Sequence, residues 1–287
     1  MGIWPSFKTG LGTTKRYWRM LLILFVVNLA IALLLTMPLR GFLYETIGNR
    51  LAVDEIAWNM NFDYITDLMV NYSEALKSSY SSSFIAAAII LYLLLSTFLA
   101  GGVLGSFASE KERFSFQRFF GYCGNYFWAF FRLLLISLLF LMLIFFIYIG
   151  LGKGFSVLTE DSPNEPLVFA LWIIRHIVFL FLFFLLNMVF DYAKVRAVLK
   201  GERSMWRVAL GSLPFVFRHF GRTLGLYYLI GLMAAVLFAV YFSVAHYAIP
   251  ATLVIGLFAW QQLYSLARVG IRMLFFSSQL ELYRSLV

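Results

Sequence analysis

Six stretches of this chain, near residues 18–39, 84–107, 127–150, 167–190, 223–247 and 251–268, are apolar almost throughout and about as long as a helix that crosses a bilayer. Hydrocarbon offers no hydrogen bonds, so a spanning backbone must satisfy its own, and runs of this kind do so as α-helices. The expected fold class is an all-α integral membrane protein: one transmembrane domain over residues 1–287, its six helices arranged as three hairpins. Composition agrees. Only 13% of residues are charged and 62% are hydrophobic, too little charge to clothe a water-soluble domain of this size. The first run follows Lys15, Arg16 and Arg19 as a signal peptide would. However, it is longer than such a core and ends in Met37, Pro38, Leu39 and Arg40 without a small-residue cleavage site, so a retained helix is expected.

Charge orients the spans. Lys8, Lys15, Arg16 and Arg19 precede the first. Lys111, Arg113, Arg118 and Arg132 fall between the second and third. Lys194, Arg196, Lys200, Arg203, Arg207, Arg218 and Arg222 fall between the fourth and fifth, and Arg268, Arg272 and Arg284 follow the sixth. The other side carries only Arg40, Arg50, Lys77 and Lys153, so the positive-inside rule places both termini in the cytoplasm. The net charge of +9 therefore points to anionic lipid headgroups as partners and not to nucleic acid. Cys123 with His176, His219 and His246 offers no zinc spacing, and neither a metal nor a cofactor is expected.

Two basic connections lead into the next span through an aromatic, Arg-bearing segment, Ser115 to Arg132 and Ser204 to Arg222, a similarity consistent with an old duplication. In the second, Trp206, Leu210, Leu213, Phe217 and Phe220 share one helical face, and Arg203, Arg207, Arg218 and Arg222 gather beside it. That pattern predicts a helix lying in the cytoplasmic headgroup layer with its guanidinium groups at lipid phosphates, bent or divided at Pro214. Gly101, Gly102 and Gly105 in the second span allow another helix to approach closely. In the outer loop, residues 40–83, Ile65, Leu68, Met69, Tyr72 and Leu76 recur at helical spacing, and Asn71 heads a glycosylation tripeptide.

Ionisable groups inside spans are costly, which makes Arg175 and the adjacent His176 the sharpest functional clue. Asn28, Gln261 and Gln262 lie at comparable depth. Two readings stay open: Arg175 reaches headgroups or Glu165, or these five residues line a polar cavity for an anionic or amphipathic substrate. Asp191 at the end of the fourth span reads as the partner of a nearby Arg. No G-x-S-x-G, H-E-x-x-H or P-loop pattern is present, and no catalytic dyad is visible, so no catalytic residue is assigned.

The run from Phe190 to Ser204, together with the downstream Phe215-Val-Phe-Arg-His-Phe-Gly-Arg-Thr-Leu-Gly-Leu-Tyr227, resembles a segment of bacterial six-helix inner-membrane proteins. The resemblance implies an inner-membrane location and a shared helical architecture, and carries no catalytic residues. The functional expectation is a non-enzymatic membrane component that handles lipid or packs with other membrane proteins or a second copy. A transporter or channel subunit is the alternative, with an intramembrane enzyme third.

The orientation is testable in a chain whose Cys123 has been replaced. Cysteines placed at residues 60 and 163 are expected to react with an impermeant thiol reagent in intact cells, and those at 10, 200 and 285 are not. Labelling of residue 200 from outside reverses the assignment.

Overall fold

A computed structural model describes residues 2–47, 66, 70, 82–109, 114–159, 164–202, 204–250 and 253–287. Among them every regular element is helical: α1 (Ile3–Arg16), α2 (Trp18–Ile47), α3 (Ser82–Ala108), α4 (Phe116–Thr159), α5 (Glu165–Lys200), α6 (Met205–Arg218), α7 (Phe220–Ser243) and α8 (Val254–Leu286), with a π-helical turn at Val244–Ala248. Five of these, Trp18–Pro38, Ser83–Ala108, Phe116–Thr159, Glu165–Lys200 and Phe220–Ala248, are long and apolar enough to cross a membrane. The chain is a helical membrane protein. α8 spans 33 residues, but Gln261, Gln262, Arg268 and Arg272 make it less apolar than the others. The amphipathic stretch expected around Ile65 to Leu76 and the Asn71 tripeptide lie outside the described residues.

Local signals set the ends of α5. The Asn164 side chain accepts from the Leu167 N–H at 3.2 Å, and Pro166 stands in the first turn, where a missing N–H costs nothing. At the other end Gly201 takes a left-handed conformation, φ +62°, and its N–H donates to the Ala197 carbonyl at 3.1 Å. Between these caps run 36 residues, about 54 Å at 1.5 Å each, well beyond the hydrocarbon thickness. α4, at 44 residues, overruns further.

The chain forms two compact units. One holds residues 1–17, 97–233 and 271–287; the other holds 18–96 and 234–270. In the first, α4 packs along α5, and α6 packs on both. Its buried residues cluster toward the basic ends of the helices: Val103, Leu104 and Phe107 on α3, Phe119 and Cys123 on α4, Met188 to Val198 on α5, Met273 to Tyr283 on α8. By contrast, none of the most apolar window of α5 is buried inside the protein. Arg284 donates to the last-turn carbonyl of the half-buried Ala108 at 2.9 Å and pairs with Glu281 at 3.4 Å. Burial pushes the Glu281 carboxyl up and the Arg284 guanidinium down, opposite to what each does to the other, so desolvation outweighs their attraction. In the second unit the Trp260 indole donates to the Tyr241 carbonyl at 3.1 Å, and Tyr264 stacks on Tyr241 with centroids 4.2 Å apart.

Three expectations change. The aromatic segment that leads to Arg132 is not a helix of its own, because α4 runs unbroken from Phe116 through the third span. Pro214 does not divide α6. The helix ends at His219 instead, whose N–H donates to the Phe215 carbonyl before α7 begins. And residues 3–16, expected as a tail, form a 14-residue helix that ends at Tyr17 in nearly the same backbone conformation as His219. α1 and α6 match at four positions of the same register. Ser6, Gly10 and Thr14 are buried where Val208, Ser212 and Val216 are; Trp4 is exposed where Trp206 is. The structural counterpart of α6 is thus α1 and not the start of α4.

Close packing at Gly102 gives a test. A Cβ there would fall 2.7 Å from the buried Phe119 ring and closer still to the Cys123 thiol. Gly102→Ala is expected to cost about 1–3 kcal/mol in reversible unfolding from detergent micelles. Gly121→Ala on α4, where a Cβ meets nothing within 4 Å, is expected to be neutral or stabilising. Gly10 also packs against Ser278, so the labelling probe near the N-terminus is better carried at the open Gly12.

Candidate functional site

Arg175 sits on α5 against α4, and its surroundings are specific. Its guanidinium carbon lies 3.7 Å from the centroid of the Tyr148 ring. Gly152, one turn further along α4, makes room: a Cβ there would stand 2.5 Å from Arg175 Nη1. The Tyr148 hydroxyl is 3.1 Å from His176 Nε2, and His176 Nδ1 is 2.7 Å from the Trp172 carbonyl. A carbonyl only accepts, so Nδ1 carries a proton toward Trp172, which turns Nε2 to the Tyr148 hydroxyl. Trp172 and His176 rings lie 4.2 Å apart, completing the support. The expected Arg175–Glu165 pair is not formed. Arg175 Nε is buried without an acceptor.

The other members of the expected polar set belong to the second unit: Asn28 and Gln262 half-buried, Gln261 exposed. The five residues thus divide between two units, and only Arg175 and His176 are shown as neighbours with shared aromatic support.

A second polar group was missed by sequence reasoning. Asp191 on α5 does not pair with an Arg. It accepts from Lys194 Nζ at 3.1 Å through one oxygen and from the Tyr227 hydroxyl of α7 through the other. Gln279 of α8 is fully buried in the same unit and its amide approaches Tyr227, while the Tyr192 hydroxyl is buried without a partner among the described residues. The nearby Arg196 instead donates to Glu202 through Nε at 3.2 Å and Nη2 at 3.0 Å, lying over Gly211. The i,i+3 spacing of Asp191 and Lys194 was a legible signal; Tyr227, 36 residues away, was not.

α6 has three faces at 100° per residue. Met205, Val208, Ser212 and Val216 are buried. Trp206, Leu210 and Phe217 are exposed together, at 50%, 51% and 57%. Arg207 and Arg218 form an exposed third stripe; Arg222 is exposed in the first turn of α7, and Arg203 lies outside the described residues. Phe220, expected on the apolar face, falls beyond the break at His219. Beside α6 runs a groove of about 120 Å³, lined by carbon almost throughout: Phe140 and Ile144 of α4, Leu182, Leu186 and Val189 of α5, Leu213 of α6.

Comparison with family models, curated proteins and solved structures finds no match to this chain.

Asp191 and Tyr227 join α5 to α7, so Asp191→Asn, Tyr227→Phe and the double variant form a cycle. The expected coupling is about 1–2 kcal/mol, the range for a hydrogen bond to a charged group partly offset in membranes. A coupling near zero in detergent unfolding would leave the two residues as independent neighbours.

Proposed function

We propose that this chain is a non-enzymatic multi-pass protein of the bacterial inner membrane, with six spanning helices and both termini in the cytoplasm, whose cytoplasmic ends engage anionic lipid. One observation carries the reading: α6 presents an exposed apolar stripe of Trp206, Leu210 and Phe217 directly beside the exposed Arg207 and Arg218. A helix packed in a water-soluble protein buries its apolar stripe, whereas one in the headgroup layer turns it toward acyl chains and keeps guanidinium groups at phosphates. The carbon-lined groove beside α6 suits the adjoining acyl chain. α1 repeats the arrangement, with Trp4 exposed and Lys8 over its ring at 5.5 Å. The sixth span is α8, whose first half is its most apolar part.

A transport role is the second reading, favoured by the part-buried Asp191–Tyr227 bond with the buried Gln279 amide in the same unit.

Replacing Arg203, Arg207, Arg218 and Arg222 with Gln tests the lipid reading. Native mass spectrometry of the purified chain is expected to show fewer retained phosphatidylglycerol molecules, each lost charge weakening binding by up to about 1 kcal/mol. Unchanged retention would reduce α6 to a packing element.

A further inference from the structure

Among the described residues Arg175 is a preformed cation without a counter-charge: it forms no hydrogen bond or ion pair with any of them, and its buried Nε finds no acceptor there. Yet it is not loosely placed. The guanidinium lies on the Tyr148 ring at 3.7 Å, the absent side chain of Gly152 lets it settle there, and the Tyr148 ring is held by His176, which is held in turn by the Trp172 carbonyl. Every one of these supports positions the group, and none is a carboxylate that could neutralise it: Tyr148 offers its ring face, and His176 and the Trp172 carbonyl hold that ring. A cation–π contact contributes about 0.5–2 kcal/mol. That is small beside the cost of an unpaired guanidinium in a segment as apolar as Glu165–Lys200, where a central Arg costs at least about 2.5–3.5 kcal/mol. Glu165, the nearest carboxylate on α5, is ten residues away, about 15 Å along the axis.

We infer that Arg175 anchors an oxyanion-binding site on the α4–α5 hairpin, taking the phosphate or carboxylate of an amphiphilic anion, with Tyr148 and His176 as positioning residues. The planar guanidinium presents paired donors that match two oxygens of one such group, and in an apolar setting a charge-assisted pair of this kind is strong. A phospholipid headgroup and a free anionic solute share this chemistry. The site is distinct from the α6 stripe and does not depend on that reading, only on the chain being embedded in a membrane.

The test uses the full chain carrying Arg207→Gln and Arg218→Gln, so that α6 does not contribute, purified in neutral detergent. Thermal stability is followed while adding phosphatidylglycerol, phosphatidylcholine or inorganic phosphate, with retained lipid counted by native mass spectrometry. Phosphatidylglycerol is expected to stabilise and to be retained. Arg175→Gln is expected to weaken that effect roughly tenfold or more, the loss of one charge-assisted contact, and Arg175→Lys to restore part of it. Gly152→Ala, which keeps every charge but displaces the guanidinium, is expected to weaken it as well. Stabilisation by inorganic phosphate at millimolar concentration would assign the site to a free anion, and stabilisation by phosphatidylglycerol alone would assign it to a lipid headgroup. If Arg175→Gln and Gly152→Ala both keep the full response, or if neither anion is bound by the parent, the site does not exist and Arg175 is a packing residue.

Discussion

Lipid tails are as apolar as leucine, so a helix in hydrocarbon gains nothing by burying its own apolar side chains. The architecture follows from that. The apolar window of α5 is left wholly unburied, and the dense packing gathers instead where α3, α4, α5 and α8 reach their basic ends. At those ends small residues set the approach: Gly102 against Phe119 and Cys123, Gly10 against Ser278.

The same division explains α1 and α6. Each is a 14-residue helix that packs one face into that basic-end core and then turns through a single non-helical residue, Tyr17 or His219, into a long apolar helix. Most buried positions are small or β-branched, Ser6, Gly10 and Thr14 in one and Val208, Ala209, Ser212 and Val216 in the other, with Met205 the exception. In α1 that closeness is also polar: the Thr14 hydroxyl lies 3.1 Å from Ser277, and Ser277 donates to the Gly10 carbonyl at 3.0 Å. The aromatic and cationic positions, Trp4 in one and Trp206, Arg207 and Arg218 in the other, stay exposed.

Polar groups within the helices divide by what they have found to bond. Asp191 is satisfied by Lys194 and Tyr227 and ties α5 to α7. Arg175 has been given rigid support and no acceptor. A satisfied charge reads as structure. A positioned and unsatisfied one reads as a place for something that arrives from outside.

By itself the sequence determined the helical membrane class, because apolar runs of bilayer length leave the backbone no other way to satisfy its hydrogen bonds. It also marked where the helices lie, to within a few residues at Ser82–Ala108 and at the start of α5, where Asn164 and Pro166 are local signals. It singled out Arg175 and His176, since a charge in an apolar run is conspicuous along the chain. What only the tertiary structure decided depends on residues far apart: the ring of Tyr148 beneath Arg175, Tyr227 rather than an Arg beside Asp191, the unbroken α4, and α1 as the counterpart of α6. Periodicity along one helix shows which residues share a face. It does not show what that face meets, because partners 28 or 36 residues away are chosen by the packing of other helices.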